Sequence, residues 1–213
     1  MRQKTLVLSL VFLLCLGAMP PQFAARNATV IIDGQIETPR GLMDETGAGV
    51  VVGQDDGLEI LTAFHVADHA HLRVTTYYGE VLPVLKVVHL APRDLAIVKT
   101  PIPERLFPAI TTTLPGAAGS PMFTYGAPND VVWQFSKGAI RGRAFVPKDG
   151  DDGEFGMTCT GCDNGSSGGG IFNARGDLEG ILVAGYRAPD GVYTFVAEPV
   201  PGISELLAMV RSG

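Results

Sequence analysis

Apolar residues along the chain come in short, β-branched runs bounded by Gly, Pro and Asp. After Arg26 they fall at 29–32, 49–52, 59–63, 72–78, 84–90 and 95–100, and a second set follows at 121–125, 131–135, 138–146, 155–160, 170–173, 180–185 and 192–198. Runs of this length, with turn residues roughly every 8 to 12 positions, predict antiparallel strands in a barrel or sandwich; the strand–helix alternation of a parallel sheet is absent. Between the two sets, residues 101–115 contain four Pro, which makes this stretch the predicted crossing between lobes spanning 26–108 and 109–213. One amphipathic helix is predicted at 203–210, where Ile203, Leu206, Leu207 and Val210 share a face after Pro201-Gly202. The fold class read from this pattern is all-β with a C-terminal helix, and two sets of about six strands are what two six-stranded antiparallel barrels would show.

The amino-terminal end departs from the pattern. Arg2 and Lys4 precede a 13-residue apolar run, Leu6 to Ala18, followed by Met19-Pro20-Pro21 and Phe23-Ala24-Ala25. That is the layout of an export leader over residues 1–25, and the run is short of the ~20 residues needed to cross a bilayer. The expected location is therefore secreted or periplasmic, with membrane contact only where the segment stays uncleaved as an anchor. Composition adds exclusions. Gly 27 and Pro 15 in 213 residues leave little room for long helices, and 46% hydrophobic with 18% charged residues excludes a disordered chain. With 22 acidic residues against 16 basic ones, a nucleic-acid partner is not expected.

Beyond the leader two cysteines remain, Cys159 and Cys162, in Cys-Thr-Gly-Cys. In an exported chain a small disulfide loop is the first reading. A thioredoxin-like site lacks its βαβ setting, and a zinc site lacks two further ligands nearby. The acidic stretch Asp149-Gly150-Asp151-Asp152-Gly153 reads as a solvated turn, since its spacing is not that of an EF-hand.

The densest chemical signal is Gly165-Ser166-Ser167-Gly168-Gly169-Gly170. A linker would show a composition shift, and none is present, because a Cys pair and the apolar Ile171-Phe172 flank the run. Glycines around a serine permit tight turns and let backbone N–H groups meet a developing oxyanion. The run also satisfies Gly-x-Ser-x-Gly, yet the last histidine of the chain, His89, lies upstream of Ser167, whereas an α/β-hydrolase places its base after the nucleophile. The order that survives is His, Asp, Ser. His65 ends the apolar run 60–64, so a strand would present it at a sheet edge; His69, His71 and His89 compete for the role of base, and a metal bound by His65, His69 and His71 lacks the Glu of a zincin. Asp94 precedes the buried-looking Leu95-Ala96-Ile97-Val98, where a carboxylate requires a partner. Asp68 is the spare acid.

Three ordered segments resemble the trypsin/chymotrypsin-type serine proteases: Leu61-Thr62-Ala63-Phe64-His65-Val66, Arg93-Asp94-Leu95-Ala96-Ile97-Val98 and Gly165-Ser166-Ser167-Gly168-Gly169-Gly170. The downstream stretches 178–186 and 191–194 look like the strands walling that family's specificity pocket, and the resemblance covers roughly residues 45–212. It implies Ser167 as nucleophile, His65 as general base and acid, Asp94 orienting the imidazole, and the N–H groups of Gly165 and Ser167 as the oxyanion hole. It further implies a polypeptide substrate paired along Val183, Ala184 and Gly185, pocket walls kept open by Gly185 and Gly191, no cofactor or metal, and action as a monomer. Gly161 would form the pocket floor and favour a small or apolar, uncharged P1 residue; a shifted loop would instead bring Asp163 there and select Lys or Arg. Two departures stand out. Ser166 occupies the position of the Asp that pairs with a freshly cut N-terminus in digestive members, and no Ile-Val-Gly-Gly start is present. The likeness leans to bacterial exported branches, with no PDZ-like extension expected. A non-catalytic, peptide-binding homologue is the alternative, and an esterase using the same three residues is a weaker one.

Overall fold

The computed structural model describes residues 19–54, 57–103, 106–143, 154–200, 202, 205, 208 and 210. The apolar part of the expected leader (residues 1–18), the acidic stretch 149–153 and most of the predicted closing helix lie outside these. Within 203–210, Glu205, Ala208 and Val210 are helical, and Val210 is buried.

Thirteen strands form two bodies among the described residues. The first is an antiparallel seven-stranded sheet, ordered β5-β4-β1-β2-β3-β7-β6 and curled as an open half-barrel. It comprises β1 (Thr29–Thr38), β2 (Gly41–Gly53), β3 (Leu58–Thr62), β4 (Ala70–Thr76), β5 (Val81–Pro83), β6 (Lys86–His89) and β7 (Ala96–Thr100). The second is a closed barrel, β10-β13-β12-β11-β8-β9. Its strands are β8 (Pro121–Gly126), β9 (Gln134–Arg143), β10 (Phe155–Thr160), β11 (Gly170–Asn173), β12 (Leu178–Arg187) and β13 (Tyr193–Pro199). The fold is chymotrypsin-like. The first lobe stays open and carries seven strands: the predicted run 84–90 is β6, and the additional strand is the short β5, which falls outside every predicted run and pairs with the edge of β4. In the second lobe, β9 runs unbroken through 136–137, the gap between the runs predicted at 131–135 and 138–146.

The strands legible in the sequence are those buried on both faces. All five residues of β3 are buried, and Leu58, Ile60 and Leu61 are fully so; each contributes about 1.5–3 kcal/mol by leaving water. The outer half of the β1–β2 hairpin carries no such signal. Its register runs without a break from Thr29↔Val50 to Thr38↔Gly41, yet its residues are mostly polar or Gly, and the apolar Leu42 and Met43 among them are exposed. Backbone pairing and two side-chain bonds hold it, Thr46 Oγ1 to Asp33 Oδ1 at 3.1 Å and Gln35 Nε2 to Asp44 Oδ1 at 2.8 Å.

The largest apolar cluster crosses between the bodies. Val50 and Ile60 of the first pack in it with Phe123, Phe172 and Ile181 of the second, and the Phe123 and Phe172 rings stack at 5.5 Å. A helix not read from the sequence, α1 (Pro21–Ala28), seals one side of this seam. Pro21 opens it at a position where a missing N–H costs nothing. Ala25 and Ala28 are fully buried, and the Arg26 guanidinium lies over the rings of Phe23 and Tyr77 at 4.8 and 4.2 Å. The helix spans position 25, where the sequence suggested the leader ends.

Candidate active site

His65 sits on α2 (Phe64–Ala67), a single helical turn following β3, and not at the strand end that the apolar run suggested. Asp94 builds this turn. Its carbonyl accepts from the Phe64 N–H at 3.2 Å, its Oδ1 from the His65 N–H at 2.9 Å, and its Oδ2 lies 2.7 Å from His65 Nδ1. The carboxylate thus answers two donors of the turn, which is the partner its place before β7 demanded. With Nδ1 donating to Asp94, the free Nε2 is left as an acceptor facing outward. Among the other histidines, His69 Nε2 lies 3.2 Å from Glu45, His71 lines a separate groove with Arg73, and His89 stacks on Phe64 at 3.6 Å.

Ser167 comes from the second body, on the turn entering β11. The two bodies meet here: the Ala48 N–H of β2 donates to the Ser167 carbonyl at 2.8 Å, while the Gly168 N–H donates to the Leu182 carbonyl of β12 at 2.7 Å. Within the turn, Ser166 is buried. Its N–H donates to the Asp163 carbonyl at 3.0 Å, and its Oγ accepts the Asp163 N–H at 3.1 Å. Ser166 thereby closes the loop upon itself. Among the described residues, the N–H groups of Ser166, Gly168 and Gly169 are committed inside the chain, whereas those of Gly165 and Ser167 have no internal acceptor.

His65, Ser167 and Gly165 line one cleft of about 450 Å³. No hydrogen bond among the described residues joins the Ser167 hydroxyl to His65, a looseness common where no substrate is bound. Asp44, Glu45 and Asp130 line the same cleft, and among the described residues no Lys or Arg does, so the charged groups facing it are acidic. Nothing local in the sequence marked these carboxylates, because they arrive from the polar hairpin and from the turn after β8.

The residues read as a specificity pocket separate into two groups. β12 pairs with β11 only over residues 178–181, so on that side the edge at Val183, Ala184 and Gly185 has no strand neighbour among the described residues; Ala184 and Gly185 are exposed. Gly191 does not wall a pocket. It forms the exposed tip of the β12–β13 hairpin at φ +81, with nothing within 4 Å of a Cβ placed on it, and it is glycine because the turn needs a positive φ. The side chain facing Gly185 is Tyr193, whose Oη lies 2.8 Å from where a Gly185 Cβ would stand. Gly161 is held by Gln134 Nε2 donating to its carbonyl at 3.1 Å. Asp163 turns to Asn129 Nδ2 at 3.1 Å and the Asn164 N–H at 2.9 Å, and these donors hold its carboxyl below the ordinary carboxylate range. The alternative that Asp163 reaches the floor is therefore not realised. Cys159 and Cys162 close a disulfide beside this loop.

Among the solved structures that share the architecture are two forms of one protease. The Rv3671c protease of M. tuberculosis in its active form is 19% identical, with 89% of this chain and 83% of that chain covered at a TM-score of 0.71. Its inactive form is 20% identical, with 89% and 92% covered at a TM-score of 0.67. No curated protein matches the chain. The family profile of the trypsin-like peptidase domain matches residues 47–181, a span that starts one residue before the Ala48 contact to Ser167 and ends inside β12. A two-lobed sheet fold with His65, Asp94 and Ser167 gathered at its seam, matched over most of its length by that profile, places this chain in the trypsin-like peptidase family.

Proposed function

We propose that the chain is a serine endopeptidase in which Ser167, His65 and Asp94 act as one unit. The observation that carries this reading is the 2.7 Å pairing of His65 Nδ1 with Asp94 on the wall of the cleft that also contains Ser167. His65 Nε2 takes the Ser167 hydroxyl proton as Oγ bonds to the scissile carbonyl carbon, and Asp94 stabilises the imidazolium that results. The carbonyl oxygen, now negative, receives the uncommitted N–H groups of Gly165 and Ser167, donors of a kind worth about 3–4 kcal/mol each in the transition state. His65 then protonates the departing amine, leaving an acyl group on Ser167. Water, deprotonated by His65, attacks that acyl group; the product acid leaves and the Ser167 proton returns.

An extended substrate strand fits the unpaired edge at Val183, Ala184 and Gly185, where main-chain bonds add it to the sheet with little sequence preference. The Gly161 floor and the Tyr193 ring over Gly185 favour a small, uncharged P1 side chain. The leader pattern supports export to a secreted or periplasmic location, and the family resemblance supports action as a monomer. The missing Ser167–His65 bond is what favours the competing reading, a binding module without turnover. Fluorophosphonate labelling separates the two. Labelling that disappears in both Ser167→Ala and His65→Ala is expected, while folded protein that never labels would refute catalysis.

A further inference from the structure

We infer that Arg93 and Glu198 form a clamp that positions Asp94 against the second barrel, so that Arg93 is a positioning residue for the reaction; this rests on the proposed roles of His65, Asp94 and Ser167. Asp94 sits in the loop between β6 and β7. That loop is closed within the first sheet by the Leu90 N–H to the Leu95 carbonyl at 2.8 Å and by His89 Nε2 to the Arg93 carbonyl at 3.0 Å. The Arg93 side chain leaves the sheet. Its Nε lies 2.9 Å from Glu198 Oε2, and its Nη2 donates to the Pro199 carbonyl. Glu198 is 2% exposed, on β13 of the closed barrel, and shares a strand face with Val196 of the cluster between the lobes. A carboxylate so buried requires a charged partner, and the planar guanidinium answers it and the neighbouring carbonyl with two donors in one fixed plane, which an ammonium cannot do.

The path from this clamp to the nucleophile is short and made of paired backbone. Glu198 lies opposite Ile181 in the β12–β13 register. The next residue, Leu182, accepts from the Gly168 N–H at 2.7 Å and donates to the Gly169 carbonyl at 2.9 Å, directly beyond Ser167. On the other side of the site, the Ala48 N–H holds the Ser167 carbonyl at 2.8 Å. The apolar seam packs the two bodies together; directional bonds at separate points along it set how the loops that carry the reacting groups are turned. The Ala48 bond fixes where Ser167 meets the first lobe, and Arg93 with Glu198 fixes how the Asp94 loop is turned toward the barrel. The approach of His65 Nε2 to the Ser167 hydroxyl depends on both, and misplacement of reacting groups by ~1 Å is worth about 10²-fold in rate.

The test uses the full chain in four forms: wild type, Arg93→Lys, Arg93→Met, and Arg93→Met combined with Glu198→Leu. The double variant removes both charges and fills the seam with apolar groups of similar volume, a replacement that commonly keeps stability. Three quantities are measured: kcat and KM on an internally quenched peptide library, the melting temperature, and the far-downfield proton resonance of His65 Nδ1–H, assigned by its loss in His65→Ala. The expected result is a kcat lowered 10- to 100-fold in Arg93→Met with KM within twofold. The double variant regains the melting temperature without regaining kcat, its Nδ1 proton exchanges with water, and Arg93→Lys falls between. A double variant with wild-type kcat and an unchanged Nδ1 resonance would overturn the clamp and leave catalysis standing. Wild-type protein that shows the Nδ1 resonance and turns over no substrate would overturn the catalytic reading, and the clamp's role in the reaction with it.

Discussion

Substitution of Gly168 by Ala tests how tightly the two lobes close on the nucleophile, and Gly191→Ala supplies its control. Both glycines sit at φ +81, so the backbone penalty for an L-residue is the same in each, about 1–2 kcal/mol. Their surroundings differ. A Cβ on Gly191 meets nothing within 4 Å, whereas one on Gly168 would stand 2.0 Å from the Ala48 carbonyl oxygen and 2.3 Å from Thr62 Oγ1. Thr62 cannot simply turn away, because its hydroxyl is buried and donates to that same Ala48 carbonyl at 2.7 Å. Relief therefore requires β2 and the Ser167 turn to separate by roughly 1 Å, against an overpacking cost of about 1–3 kcal/mol or more. In a chain of this size each kcal/mol moves the melting temperature by about 2–4 °C. Gly191→Ala should thus lower it by about 2–8 °C and leave fluorophosphonate labelling intact. Gly168→Ala should lower it by a further several degrees and slow labelling by about 10²-fold, because the Ala48–Ser167 bond lies in the strained contact. Thermal melts and labelling rates on the two variants decide the matter. Equal melting temperatures, or wild-type labelling in Gly168→Ala, would show that the seam is not close-packed at Ser167 and refute the reasoning.

Three further outcomes follow from the same geometry. Tyr193→Ala should extend cleavage from small to bulky apolar P1 residues in a peptide library, with kcat/KM for Ala at P1 changed less than that for Leu. Glu179 is buried with Oε2 unpartnered, and burial pushes its carboxyl above the ordinary range against opposing bonds from the Gly116 N–H and Asn173. A raised folded-state value means that the charged form costs stability above that value and costs nothing below the unfolded one, so Glu179→Gln should raise the melting temperature at neutral pH, with the gain vanishing as pH falls past ~4.5; a gain independent of pH would contradict the assignment. A chain begun at Arg26 loses the fully buried Ala25 and the bond from Thr29 Oγ1 to its carbonyl at 2.9 Å. It should melt below one begun at Met19 by about 2–8 °C, and mass spectrometry of the exported protein should find a start that retains α1.

The parts of this protein that its sequence determined are those governed by near neighbours. Strands buried on both faces, such as β3 and β7, declare themselves as continuous β-branched runs, and every histidine precedes Ser167, an order that an α/β-hydrolase does not have. The serine turn is legible because close backbone packing admits only glycine at positions 165, 168 and 169, around the two serines. What the tertiary structure alone decided depends on contacts between distant segments. The outer β1–β2 hairpin is held by backbone pairing, which has no side-chain alternation to announce it. Helix α1 was hidden because its Ala residues are apolar for packing in the seam and apolar residues also end a leader. Gly191 belongs to a turn and Tyr193 faces Gly185, which the sequence did not show, since a glycine needed for a turn and one needed for an open wall look alike until the register is known. The acidic cleft wall and the Arg93–Glu198 pair, 105 residues apart in sequence, could not be foreseen, because a charge finds its partner through the closure of a barrel and no local pattern encodes which strand will face it.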